Sequence, residues 1–216
     1  MSKRILVVLS GCGHLDGSEI TESVVSLLAL DRAGATVQCA APDQPQHHVV
    51  NHTTGTVTGE SRNVLAEAAR IARGAIVPLA SVRVEDFDGI WLPGGFGAAK
   101  NLSTVAFAGA GATVHPELGE LLRAFRAAGK PIGAVCIAPV VVVAALREGS
   151  VTIGNDDGTA AAIEAMGGGH AACTVTEIHV DRERKLVTAP AYMFHARISD
   201  VALGIERAVS AFLELA

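Results

Sequence analysis

Short aliphatic runs that end in glycine-rich loops and hand over to helix-spaced segments recur along the chain, and this rhythm limits the possible folds more than any other feature. Residues 5–9, Ile-Leu-Val-Val-Leu, form a continuous β-branched and aliphatic run, the mark of a strand buried on both faces. The loop at 10–17 contains three glycines. Ser18 is then placed to cap a helix, with Glu19 and Glu22 in its first turn and Ile20, Val24, Leu27 and Leu28 at helical spacing. Residues 35–40 read as a second strand. Residues 44–60 are polar and irregular, a loop or short hairpin with His47, His48 and His52 as solvated side chains. A helix over 61–73 places Val64, Leu65, Ala68 and Ile71 on one face. The strand at 88–92 runs into Pro93-Gly94-Gly95-Phe96-Gly97.

A helix over 116–128 stops at Gly129, and Cys136 follows the buried strand at 131–135 directly. Helices at 139–147 and 160–166 flank a short strand at 151–153. Segments 174–180 and 185–188 pair around the charged turn 181–184, and an amphipathic helix over 198–215 closes the chain. Strands alternating with helices imply parallel strands joined by right-handed crossovers. The expected fold is α/β, a three-layer, doubly wound, mostly parallel sheet of flavodoxin-like order in one domain, 1–216. Ligands of such sheets sit beyond the carboxyl ends of the strands, where loops 10–18, 93–101 and 136–139 should meet.

Composition excludes other classes. Half of the 216 residues are apolar and 18% are charged, so the chain is not disordered. Lys and Arg number 17 against 22 Asp and Glu, a net charge of −5 that predicts neither nucleic-acid nor anionic-membrane binding. Four cysteines are too few for a disulfide scaffold. The longest apolar run, 137–146, is broken by Pro139 and is roughly half of a membrane span. The opening MSKRILVVLS holds only five consecutive apolar residues and no processing site, so a soluble protein of a reducing, cytoplasmic compartment is expected.

Three constellations can carry chemistry. In Gly133-Ala134-Val135-Cys136-Ile137-Ala138-Pro139 a buried strand enters a helix start with small residues two before and two after the cysteine. That is the nucleophile-elbow layout, and the helix dipole and free N–H groups favour a thiolate there; a small-residue-lined core cysteine has the same pattern. The paired glycines 94 and 95 can turn their amides toward a ligand, and the Gly95 and Ile137 N–H groups together would make an oxyanion hole. The alternative is a plain strand-to-helix turn. Glu19 is the candidate proton-transfer carboxylate beside Cys136, or else simply a charge at a helix N-terminus. Cys12, Gly94, Asn101, Tyr192 and His195 complete the candidate pocket, with Cys12 facing the same crevice as Cys136. Cys12-Gly13-His14 has no second pair at zinc-like spacing, so no metal is expected.

Taken together, these elements resemble the ThiJ/PfpI group of the class I glutamine amidotransferase-like superfamily over essentially the whole chain. Longer stretches carry a finer resemblance, to the isoprenoid-biosynthesis glyoxalases within that group. They are Val8-Leu9-Ser10-Gly11-Cys12-Gly13, Asp16-Gly17-Ser18-Glu19-Ile20, Asn51-His52, Arg62-Asn63-Val64-Leu65, the run from Leu92 to Leu102, and Cys136-Ile137-Ala138-Pro139. The resemblance implies a cofactor-independent glyoxalase that converts a small 2-oxoaldehyde and water to a 2-hydroxy acid, and a homodimer. Carried over, Cys136 is the nucleophile, Glu19 the proton-transfer carboxylate, and Gly95 and Ile137 the oxyanion donors. Many superfamily members have histidine directly after the cysteine; Ile137 stands there instead and supplies no base. Two rival readings remain open: a redox-sensing or regulatory protein that keeps the reactive cysteine, and an amidotransferase-like hydrolase whose base comes from elsewhere, such as His195.

Overall fold

The computed structural model describes residues 2–216. In chain order the elements are β1 (Arg4–Val8), α1 (Ile20–Arg32), β2 (Thr36–Ala41), the hairpin β3 (Val50–Asn51) and β4 (Thr56–Val57), α2 (Val64–Ile71), β5 (Ile76–Pro78), β6 (Gly89–Leu92), α3 (Phe96–Lys100) and α4 (Val105–Ala108). Then come α5 (Pro116–Ala127), β7 (Ile132–Val135), α6 (Ala138–Leu146), β8 (Ser150–Val151), α7 (Asp157–Ala165), β9 (Gly169–His170), β10 (His179–Asp181), β11 (Leu186–Ala189) and α8 (Ile198–Leu215).

Seven strands form one sheet in the order β10-β11-β7-β6-β1-β2-β5. All neighbours run parallel except β10 and β11. This is the expected doubly wound, flavodoxin-like α/β sheet. Alternate residues of β1 feed two separate apolar layers: Ile5 and Val7 pack with Trp91, Phe212 and α8, whereas Leu6 and Val8 pack with α5 and α6. At the centre Gly133 leaves room for the Trp91 ring, which meets Phe212 edge-on at 5.3 Å between centroids; a methyl group on Gly133 would overlap the indole.

Several local expectations change. The three-residue edge strand β5 was not anticipated. Only the tip of segment 174–180 is extended, because β10 begins at His179, and its hairpin joins the main sheet through β11 on β7. Helix α7 starts earlier than expected, since the Asp156 side chain caps it by accepting from the Thr159 amide at 2.7 Å.

Helix α1 differs most. Its cap is Glu19, whose carboxylate accepts from the Glu22 amide at 2.6 Å, while Ser18 is buried and its hydroxyl accepts from the Ser10 amide at 2.8 Å. The buried face is Glu22, Ser23, Ser26 and Leu30, and the apolar side chains Ile20, Val24 and Leu28 stay 42–49% exposed. Small serines let α1 approach α8 and the glycine turn closely, so the polar stripe is the inward one.

Candidate functional site

The carboxyl ends of β1, β6 and β7 deliver three loops to one place. Leaving β7, the chain makes a bend at Cys136 with φ +60°, the left-handed region that a non-glycine residue enters at a cost on the order of 1 kcal/mol or more. The neighbouring strand fixes the bend, because the Cys136 amide donates to the Ala189 carbonyl at 3.0 Å. Helix α6 starts two residues later with Pro139 in its first turn. The loop after β6 is pinned against the loop after β1. The Glu19 amide donates to the Gly94 carbonyl at 2.9 Å, Phe96 N–H to the His14 carbonyl at 2.8 Å, and Gly97 N–H to the Gly17 carbonyl at 2.9 Å. Gly95 bridges these contacts at φ +95°, a position closed to any side chain by the Gly17 and Glu19 backbone. The pinning leaves the Gly95 amide facing the Cys136 sulfur, together with the Ile137 amide.

The carboxylate that meets this sulfur is Glu22. It is fully buried, within hydrogen-bonding reach of the Cys136 thiol, and clamped by two backbone donors: Gly94 N–H to Oε2 at 3.0 Å and Tyr192 N–H to Oε1 at 3.1 Å. A methyl group on Gly94 would lie 2.7 Å from Glu22 Oε2 and 3.0 Å from Cys136 Sγ, which locates both atoms over the same glycine. Burial, followed by the nearby Glu19 charge, pushes the Glu22 carboxyl up to about 8, against the pull of its hydrogen-bond donors. Burial also pushes the Cys136 thiol well above its ordinary value, the Glu22 charge adds to this, and the Gly95 and Ile137 amides oppose it. The two groups are coupled, each one's charge disfavouring ionisation of the other. The sequence favours a thiolate at this position; Cys136 is instead 8% exposed, at the floor of a cavity, with burial raising its thiol.

The assignment of Glu19 as the carboxylate beside the sulfur is corrected by this geometry. Glu19 caps α1 and lines the cavity wall, with its carboxyl raised by burial, and Glu22 one turn on reaches the thiol. The reason is helical spacing: Glu22 shares the inward stripe with Ser26 and Leu30. Two features of the sequence are consistent with this, though neither chooses between the two carboxylates. An acidic residue three positions after Glu19 lies on the same side of the helix, and the serines that follow mark a tightly packed face.

The cavity holds about 330 Å³, with His14, Glu19, Gly95, Ile137, Asp156 and Tyr192 among its walls. His14, Phe96, Asp156, Thr159 and Met193 were missed by sequence reasoning: they come from the loop after β1, the start of α3, the start of α7 (both Asp156 and Thr159) and the segment after β11. Tyr192 sits in the wall as anticipated, and Gly94 lies behind it. His195 lines only an outer space of about 370 Å³, shared with His14, Glu19, Tyr192 and Phe194.

Two pocket candidates lie elsewhere. Asn101 is a buried bracket: its amide nitrogen donates to the Ser10 and Asp16 carbonyls, both at 2.9 Å, and its oxygen accepts from the His47 amide at 2.9 Å. Cys12 is not in the cavity wall; its charged surroundings are Glu67, Arg70, Asp16 and Arg62, on the α2 side of the loop. Burial raises its thiol, and all four cysteines are free. Among the described residues no group of three or more His, Cys, Asp or Glu side chains could hold a metal ion, and no helix is long and apolar enough to cross a membrane.

Among known proteins, the chain is 48% identical over 222 residues to the human glutamine amidotransferase-like class 1 domain-containing protein 3, mitochondrial, covering 98% of this chain and 83% of that protein. It is 46% identical over 222 residues to the rat ES1 protein homolog, mitochondrial, covering 98% and 84%. A crystal structure of an isoprenoid biosynthesis protein with amidotransferase-like domain from Ehrlichia chaffeensis matches with a TM-score of 0.93 at 40% identity, covering 99% of both chains. The names of the human and rat relatives overturn the cytoplasmic expectation: both are mitochondrial proteins, and the brevity of one apolar run did not justify that compartment. The DJ-1/PfpI family model matches residues 3–192, a span that includes Glu22, the Gly94–Gly95 turn, Cys136 and Tyr192. The chain belongs to the DJ-1/PfpI family.

Proposed function

We propose that the protein is a cofactor-independent glyoxalase acting on small 2-oxoaldehydes, with Cys136 as nucleophile and Glu22 as its proton carrier. The observation that carries this reading is the buried Glu22 carboxyl within hydrogen-bonding reach of the Cys136 sulfur, raised to about 8. A carboxyl with that affinity both accepts and returns a proton near neutrality, as a proton shuttle requires.

The reaction starts when Glu22 holds the thiol proton and the thiolate attacks the aldehyde carbon, forming the C–S bond. The carbonyl oxygen accepts hydrogen bonds from the Gly95 and Ile137 amides and then takes the proton from Glu22, giving a hemithioacetal. Glu22 removes the hydrogen from that carbon and returns a proton to the adjacent one through an enediol, while the hydroxyl proton of the first carbon passes to the oxygen of the second, which leaves a thioester of the 2-hydroxy acid. Water adds to the thioester with its proton going to Glu22, the C–S bond breaks, and the acid departs. Electrons are redistributed within the substrate, so no external oxidant or reductant enters.

The test is formation of lactate from methylglyoxal by the wild-type protein and by Cys136→Ser and Glu22→Gln. Loss of at least about 100-fold in both variants at retained folding supports the reading. A wild type that forms no lactate contradicts it. Ammonia release from an amide substrate that depends on His195 would favour the hydrolase instead, although His195 lines only the outer space.

A further inference from the structure

Beside the chamber above Cys136 lies a second, more open space of about 380 Å³. The two share Phe96, Ile137, Asp156 and Thr159 as walls. Beyond that shared wall the lining is mostly small and aliphatic: Ala99, Val105, Ala106, Val140 and Ala162. Ile137 forms part of both, so the residue that follows the nucleophile contributes an apolar surface where a side-chain base would otherwise stand. Besides His14, Thr159 and Tyr192, the polar side chains of the two linings are the carboxylates of Asp156 and Glu19. Asp156 lines both spaces at an exposed position, kept charged by hydrogen bonds from the Thr159 hydroxyl and amide, and Glu19 lines the first. No Lys or Arg lines either chamber among the described residues. An anionic tail would therefore meet the Asp156 carboxylate and no Lys or Arg in the second space, whereas an apolar group would find surface to cover.

We propose that the second chamber is a subsite for an uncharged, apolar substituent of the compound that Cys136 attacks, and that Asp156 and Glu19 turn anionic compounds away. The substrate class is then a neutral carbonyl compound with a branched aliphatic or aromatic tail, in preference to methylglyoxal or to carboxylated or phosphorylated aldehydes. The turnover part of this proposal rests on the glyoxalase reading, but the subsite does not.

The experiment therefore has two arms. In the first, the rate of Cys136 modification is followed by peptide mass spectrometry with N-methylmaleimide against N-cyclohexylmaleimide, and with iodoacetamide against iodoacetate, each ratio normalised to free N-acetylcysteine. The cyclohexyl reagent is expected to be favoured about 10-fold and the anionic reagent disfavoured about 10-fold. Ala162→Phe, or Ala106→Phe if the first variant does not fold, fills the chamber and returns the maleimide ratio to the free-thiol value. Asp156→Asn keeps a capping side chain and raises the relative iodoacetate rate about 5-fold. Wild-type ratios equal to those of the free thiol, or a maleimide ratio indifferent to both filling variants, overturn the subsite.

In the second arm, kcat/KM for 4-methyl-2-oxopentanal is compared with that for methylglyoxal. A preference of about 10-fold for the branched substrate, lost on filling, supports the proposal. Turnover without preference overturns the subsite and leaves the glyoxalase reading standing. Alkylation selectivity without any 2-hydroxy acid does the reverse.

Discussion

Glu22 concentrates the residue-scale chemistry: it is a fully buried carboxyl with two amide donors and a sulfur for neighbours, and burial raises it to about 8. A raised carboxyl means that the folded chain binds the proton more tightly than the unfolded one. Its contribution to stability is thus complete below the ordinary carboxylate range and is lost as pH rises toward 8. Glu22→Gln removes that slope. The melting temperature of the wild type relative to this variant is expected to fall between pH 5 and 8.5 by at least about 3 °C. A parallel pair of curves would refute the assigned burial. Asn101 offers a second test: Asn101→Ala strands the Ser10 and Asp16 carbonyls and the His47 amide, and denaturant unfolding should register a loss of about 2 kcal/mol with little change in the chemistry at Cys136. Cys136 and the glycine pair were legible as residues because an elbow and a double-glycine turn have strict steric demands. The choice between Glu19 and Glu22 was not, because it depends on which way a helix faces.

At the scale of elements, strands were read well where burial on both faces made them continuous, as in β1, β6 and β7. The three-residue edge strand β5 gave no such run, and residues 174–178 had strand-like composition without a ladder partner. Helix α1 was legible in position and misleading in orientation, since the inward stripe contains Glu22, Ser23 and Ser26. Its outer apolar stripe is where the homodimer implied by the family resemblance can be tested as a proposal. Leu28→Glu lies on an exposed position, so it should leave the melting temperature of the subunit nearly unchanged. Sedimentation velocity is expected to show a dimer for the wild type and a monomer for the variant; a monomeric wild type removes the proposal. Within the sheet, Gly133→Ala drives a methyl group into the Trp91 ring and should destabilise the fold by about 1–3 kcal/mol. A neutral effect in thermal unfolding would contradict the packing at the centre of the sheet.

For the whole molecule, the alternation of strands and helices was sufficient to place the site: parallel strands point their carboxyl ends one way, and the loops after β1, β6 and β7 converge there. The remaining walls of the cavity, His14, the α7 start with Asp156 and Thr159, and Met193, come from three segments far apart in sequence that become neighbours only when the sheet closes. No local pattern could have marked them. The same architecture explains why the thiol is both reachable and buried: it is the floor of a pocket, with Glu22 buried behind it. The central claim is that this carboxyl, rather than Glu19, is the one coupled to Cys136. The pH dependence of Cys136 alkylation by iodoacetamide in wild type, Glu22→Gln and Glu19→Gln tests it most directly. Glu22→Gln should lower the thiol midpoint by at least about one pH unit, since a buried facing charge is gone, and yet abolish lactate formation. A midpoint that moves with Glu19→Gln and stays fixed in Glu22→Gln would contradict the account.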